Sequence, residues 1–332
     1  RRGIRILLLD QKIWDFLKKK SGKEFIIDEA SCVDGYPYYA PNADLNTYGG
    51  RAVRAFWYYF MEQLIKEHLQ VDNFILGNEV NMPNQWHYSG SPNGSGDAYN
   101  CVTKYADAFY QMYSAVRKYT DVSRCSISLD HSWQNDNEGK GIAAKDFLNL
   151  FNSSLQRYES DVEWCLSTHL YPARLYDTRI WVDPHNLAPR HSGARIIDGN
   201  NLFVMTDYIR ETFGDEHRVM LTEQGFSDNY GEAVQAACLA YTYYAAKYDP
   251  LVDNFLINTE NAGGVYDEDG YQSMNFTLMP LAEEVYNRID NGNAEDAAWI
   301  DSVCLPVIGV SSWAEIIPNF GQEVDKNPRP VE

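Results

Sequence analysis

Two segments of the sequence carry an apolar run into a glutamate: Ile75-Leu76-Gly77-Asn78-Glu79-Val80-Asn81 and Val219-Met220-Leu221-Thr222-Glu223-Gln224-Gly225. A carboxyl group beside an amide, as in Asn78-Glu79, is an acid/base with a hydrogen-bonding neighbour for a bound hydroxyl. In the second segment Gly225 lets the chain turn close to the carboxylate. Glycoside hydrolysis needs two carboxyl groups facing each other across an acetal, about 5–5.5 Å apart when anomeric configuration is retained. A lone Asn-Glu dipeptide reads as a surface or loop carboxylate. Two such glutamates at strand ends, with a third polar strand end between them at His169-Leu170-Tyr171, favour the catalytic reading.

Further candidates stand at other strand ends. Asp10, His131, Trp133, Asn258 and Glu260 each follow an apolar run, and Trp86 follows the Asn-Glu segment. A single Asp such as Asp10 is more commonly a turn or cap residue, and Trp133 suits a core as well as a pocket wall. His131, His169, Glu79, Glu223 and Glu260 are also suitable ligand types for a metal-dependent barrel hydrolase. No His-x-His or His-Glu-x-x-His spacing supports that alternative, and chelator-insensitive activity would eliminate it. No cofactor is expected, since the sequence has neither a G-x-G-x-x-G after a strand nor a P-loop.

These side chains must be positioned by an alternation of short apolar runs and amphipathic stretches. Runs 4–9, 74–76, 125–129, 164–166, 219–221 and 255–257 are unbroken, as parallel strands covered on both faces are. Between them Val53, Phe56, Trp57, Phe60, Met61, Leu64, Ile65 and Leu69 recur at spacings of three and four, which predicts a helix. Val102, Tyr105, Phe109, Met112, Tyr113 and Val116 do the same, and weaker helical patterns cover 147–155, 202–213, 234–244 and 281–289. Repeated βα units predict the α/β class with a parallel sheet. Polar residues at the carboxyl ends of successive strands select the (β/α)8 TIM barrel, whose active site is assembled there. Only six strands are clear, so the first two βα units are expected upstream of Arg1. Residues 1–300 are expected as the barrel domain and 301–332 as an extension packed on it.

Composition narrows the function. With 28 Lys+Arg against 47 Asp+Glu, a net charge of −19, the chain is unsuited to nucleic-acid phosphates and to anionic membranes. An apolar fraction of 45% with 23% charged residues fits a folded globular protein. The 8 Trp, 24 Tyr and 14 Phe suggest flat faces for sugar rings, although extra core and surface aromatics account for the same count. No apolar run approaches the roughly 18 residues of a membrane span, so no membrane insertion is expected. The first ten residues fail as a signal peptide, because their apolar core is short and no small-residue cleavage site follows. Six cysteines without a CxxC pair exclude a zinc ribbon, and several lie in apolar runs that predict buried thiols. Sequons at Asn93, Asn152 and Asn275 give weak support for a secreted or cell-surface protein. The expected partner is a carbohydrate substrate; the sequence leaves the oligomeric state open.

On Gly77-Asn78-Glu79 and Thr222-Glu223 the chain resembles the clan of retaining barrel glycosidases that includes cellulases, mannanases and β-galactosidases. The resemblance implies that Glu79 ends the fourth strand as the acid/base and that Glu223 ends the seventh as the nucleophile. Residues 4–9 then form the third strand. His169-Leu170-Tyr171 is similar to the clan's His-x-Tyr at the sixth strand end, where the Tyr hydroxyl holds the nucleophile. Stretch 73–86, including Trp86, is similar to a family of uncharacterised barrel glycosidase-like domains. The resemblance spans nearly the whole chain in its strand ends but only a handful of residues in identity. By it, Asn78 bonds the sugar hydroxyl beside the anomeric carbon.

The chain departs from the clan at the eighth strand, where many members floor the reactive sugar with a Trp and this sequence has Asn258-Thr259-Glu260-Asn261. The platform is then expected from Trp133 or Trp86. Glu260, one strand late for a nucleophile, is expected to bind substrate hydroxyls, as are Asn258 and His131. The expected activity is retaining hydrolysis of a poly- or oligosaccharide. A non-catalytic sugar-binding barrel is the other alternative, and loss of one carboxylate would be its mark.

Overall fold

The computed structural model describes residues 48–82, 95–135, 141–258, 272–324 and 326, with the strand segments 4–6, 32–33, 36–37 and 265–266. The chain begins with β1 (Ile4–Ile6) and a short antiparallel pair, β2 (Cys32–Val33) and β3 (Tyr36–Pro37), before α1 (Tyr48–Lys66). Then β4 (Asn73–Leu76), α2 (Ser95–Tyr119), β5 (Arg124–Leu129), α3 (Ala144–Leu155), β6 (Cys165–His169), α4 (Leu202–Phe213), β7 (Val219–Gln224), α5 (Glu232–Lys247) and β8 (Val252–Ile257) alternate strictly. A second antiparallel pair, β9 (Val265–Tyr266) and β10 (Gln272–Met274), precedes α6 (Pro280–Ile289), α7 (Ala294–Ile308) and a 3-10 turn, Trp313–Glu315. The class is α/β, and this succession of parallel βα units is that of a partial (β/α)8 barrel.

The chain forms two compact units, and the division falls within β6. The first comprises Arg1–Asp130, Asn135–Ser167 and Arg329–Glu332. In it β4 pairs in parallel with β1, Phe74 opposite Ile4, and with β5, Phe74 opposite Cys125. All of β4 is buried, which is why Phe74, Ile75 and Leu76 are apolar, while its buried Asn73 accepts a hydrogen bond from Ser126 Oγ at 2.8 Å. Helix α2 turns Val102, Tyr105, Phe109, Met112 and Val116 inward, and Phe147 and Phe151 of α3 meet them. Each aromatic buried this completely contributes about 1.5–3 kcal/mol. The Tyr105 hydroxyl donates to the Leu76 carbonyl at 2.6 Å and pins α2 to the carboxyl end of β4.

The second unit comprises His131–Gln134 and Thr168–Pro328. Its β7 and β8 run parallel, Leu221 opposite Phe255, with register shifts at both ends of the pairing. Helix α5 is buried on nearly every side, so it lacks the polar stripe of a surface helix. Its Ala236 and Ala240 are fully buried beside Val285 of α6 and Cys304 of α7, and Tyr244 and Trp313 stack edge-on. Helix α7 extends the terminal element read from the sequence back to residue 294. The Asn293 side chain caps it by accepting from Asp296 N, acidic residues fill its first turn, and Gly309 closes it at φ +89°. Beyond it, Lys326 donates to the carbonyls of Ala246, Asp249 and Val252 at 2.7–2.8 Å, which ties the tail to the entry of β8.

Cys101, Cys125, Cys165, Cys238 and Cys304 are free and buried, as the apolar runs around them predict. Burial pushes the thiols of Cys101 and Cys238 up, which keeps them unreactive packing groups. Two sequon asparagines are already engaged. Asn152 accepts from the Trp164 indole at 3.0 Å, and Asn275 donates to Asp228 through Nδ2, the nitrogen a glycan would take. Among the described residues no helix is long and apolar enough to cross a membrane.

The connection from β6 to α4 is held by its own side chains. Asp183 accepts from Leu187 N and Ala188 N, and Asn201, fully buried, accepts from Asp198 N and donates to Pro189 O and Ile196 O. Asp198 accepts from Asn200 N and Ala173 N, yet burial outweighs those donations and pushes its carboxyl up to about 7. Unfolded, the group ionises near 3.9. Between those values the folded state binds more protons than the unfolded one, so the stability Asp198 contributes is full in acid and is lost as pH rises towards 7. Asp198→Asn, which cannot ionise, is expected to lose this slope. Melting temperatures of wild type and variant from pH 4 to 8 should converge or cross with rising pH; parallel curves would contradict the assignment.

Candidate active site

The first unit supplies Asn78 and Glu79 just beyond β4. Gly77 stands at φ +79°, and a Cβ there would lie 2.6 Å from Val80 Cγ1, so glycine is required. Glu79 itself adopts φ +42°, a left-handed conformation that costs a non-glycine residue about 1–2 kcal/mol. The strain is held by the end of β5. Val80 N donates to Ser128 O at 2.8 Å and Glu79 N to Ser128 Oγ at 3.2 Å. Asn81 is fully buried; it donates to Asp130 Oδ1 (2.6 Å) and Ile142 O (3.1 Å) and accepts from Asp130 N (3.0 Å). The Asn78 and Glu79 side chains are half-buried. In the Asn-Glu-Val-Asn motif the second Asn thus bolts the turn in place. Sequence reasoning missed that role, and the polar end of the next strand at Ser128–Asp130 was its only signal.

The second unit gathers four of the predicted residues around the carboxylate of a fifth, Glu223. Glu223, the penultimate residue of β7, has a side chain 21% exposed. The Tyr171 hydroxyl donates to its Oε1 at 2.8 Å. His169 Nε2 lies 3.6 Å from Oε2, and the His169 side chain is 1% exposed. The pairing of strand ends is fixed by Leu170 N, which donates to Glu223 O at 3.2 Å. Asn258 Nδ2 donates to Tyr171 Oη at 2.9 Å. His131 Nδ1 lies 2.9 Å from the Tyr171 carbonyl, which only accepts, so that nitrogen carries hydrogen and Nε2 of the neutral ring is an acceptor. Phe276 packs on the Tyr171 ring at 5.6 Å; a lone Phe behind a loop gave sequence reasoning no signal.

Three expectations are corrected or narrowed. Trp133 is buried, with its ring edge-on to Tyr208 of α4 at 5.4 Å, so it packs the core and is no sugar platform. His169 is too buried to meet a substrate broadly and faces the Glu223 carboxylate instead. The Asn258 amide, expected on a sugar hydroxyl, is spent on Tyr171. Asp10, Trp86, Glu260 and the sequon at Asn93 lie outside the described residues. Among the described residues no three His, Cys, Asp or Glu side chains converge into a group that holds a metal ion.

Solved structures similar to the chain are glycoside hydrolases. Fungal β-1,4-galactanase matches with a TM-score of 0.45 and 11% identity over 72% of this chain and 66% of that one. The β-glucuronidase of Bacteroides uniformis gives 0.47 and 11% over 77% of this chain and 27% of its own. The family 1 β-glucosidase of Thermotoga maritima gives 0.42 and 11% over 71% and 63%. The chain spans less than two thirds of the length of each. Likenesses this loose carry no inference about activity. No curated protein matches the sequence. Residues 6–316 match the family of unknown function DUF5722, and the chain belongs to that family.

Proposed function

We propose that the protein is a retaining glycoside hydrolase of poly- or oligosaccharides, with Glu223 as nucleophile and Glu79 as acid/base. The observation that supports this most is the Tyr171 hydroxyl on Glu223 Oε1, a partly exposed carboxylate at a strand's carboxyl end with an acceptor-specific donor aimed at it. A donor to the ionised form keeps a carboxylate charged and ready to attack. The strained backbone of Glu79 adds support, since such conformations concentrate at functional sites.

In this reading a Glu223 oxygen attacks the anomeric carbon while the bond to the leaving oxygen breaks, and Glu79 gives that oxygen its proton. The glycosyl ester on Glu223 is then attacked by a water whose proton passes to Glu79, releasing sugar with its original configuration. Asn78 holds the hydroxyl beside the reacting carbon, and His131 Nε2 offers an acceptor to another. A polysaccharide substrate fits secretion or display at the cell surface.

The test is product release from a broad panel of purified glycans, with the anomer of the first product read by NMR. Retained configuration, and trapping of Glu223 by a mechanism-based inactivator, are expected. An inverted product, or label on another residue, would overturn the assignment. Tyr171→Phe is expected to lower kcat/KM by about 10–100-fold, equivalent to one charge-assisted hydrogen bond of roughly 1.5–3 kcal/mol, with little change in melting temperature. A larger loss of stability than of activity would make Tyr171 a packing residue.

A further inference from the structure

We propose that Asn258 is a positioning residue whose side-chain amide commits the Tyr171 hydroxyl proton to Glu223. Tyr171 Oη carries one hydrogen, and its polar neighbours include Glu223 Oε1 at 2.8 Å and Asn258 Nδ2 at 2.9 Å. An ionised carboxylate only accepts, so the hydroxyl hydrogen belongs to Glu223, and the tyrosine oxygen takes its own hydrogen bond from the Asn258 NH2 group. The chain runs one way, from Asn258 through Tyr171 to Glu223. Donation into the phenolic oxygen polarises its O–H bond and strengthens the second link. Without the amide, the hydroxyl is free to rotate towards other acceptors, water included.

The surroundings leave the ring little choice of position. A Cβ on Gly225 would lie 2.7 Å from Tyr171 Cε1 and 3.0 Å from both Asn258 O and Phe276 Cδ1, so the glycine makes room for this arrangement. Asn258 N donates to Gln224 O at 2.8 Å, which sets the height of the amide against β7. His131 holds the Tyr171 carbonyl from the other side. His169, whose Nε2 faces Glu223 Oε2, is a titratable neighbour that the relay does not touch. The catalytic meaning of the relay rests on Glu223 being the nucleophile; the hydrogen-bond direction does not.

The measurement follows the Glu223 carboxyl by carbon-13 NMR in the full chain, with its resonance assigned by disappearance in Glu223→Gln. Wild type, Asn258→Ala, the bulkier Asn258→Leu, Tyr171→Phe and the double variant Tyr171→Phe/Asn258→Ala are titrated under one condition. Either Asn258 variant is expected to raise the titration midpoint by about one pH unit. With Phe at 171 the Asn258→Ala effect should fall to within about 0.3 of zero, because the amide then has nothing to direct. An unchanged midpoint in both Asn258 variants, or an equal shift with and without the Tyr171 hydroxyl, overturns the proposal. Expected shifts in a protein that turns over no glycan would leave the relay standing and remove the glycosidase reading. Turnover with retained configuration but no shift would do the reverse.

Discussion

Glu223→Ala is expected to lower turnover by roughly 10⁴-fold or more while the protein stays folded, because no covalent intermediate forms without the nucleophile. The structural cost is small. The side chain is partly exposed, and the Tyr171 hydroxyl keeps the Asn258 amide as a neighbour, so the loss is about 1–3 kcal/mol for one donor left without its acceptor. The space left by the shortened side chain also admits a small anion. High formate should restore part of the turnover by attacking the anomeric carbon from the face the glutamate occupied as the leaving group departs, and the glycosyl formate so formed should have inverted configuration. Activity near wild type for Glu223→Ala, with an inactive Glu260→Ala, would make Glu260 the nucleophile instead.

The parts of this arrangement that sequence could show are those written in local periodicity. The spacing of Val102, Tyr105, Phe109, Met112 and Val116 gives α2 because one helix face must be buried along its length, and those residues are buried. Helix α7 was hidden for the same reason. Only Ile300, Cys304 and Leu305 are buried in it, too few for a clear stripe, though Asn293 and Gly309 mark both ends as caps do. Trp133 shows the limit for side chains: a strand-end indole looks the same whether it faces a sugar or, as here, Tyr208. The relay from Asn258 to Tyr171 joins residues 87 apart, and no local pattern encodes such a pairing. The left-handed backbone of Glu79 is likewise imposed from outside, by Ser128 and by the bolt that Asn81 and Asp130 form.

Glu79→Gln should separate the two halves of the reaction. Without an acid, a glycoside whose leaving group is a poorly stabilised sugar alkoxide should slow by about 10²–10⁴-fold. An aryl glycoside with an acidic phenol needs no proton to depart, so its first step should proceed almost unaltered. Its second step lacks a base, and the glycosyl-enzyme should accumulate as a burst followed by a stall. A companion substitution, Glu79→Gly, tests the backbone separately. Glycine adopts φ +42° without strain, so this variant should be as inactive on natural glycans as Glu79→Gln yet more stable by about 1 kcal/mol in urea titrations. A residue kept in a conformation that glycine would occupy more comfortably is retained for its side chain. If Glu79→Gln hydrolyses a natural substrate at the wild-type rate, the acid/base lies elsewhere, and the strain at residue 79 would then need a different cause.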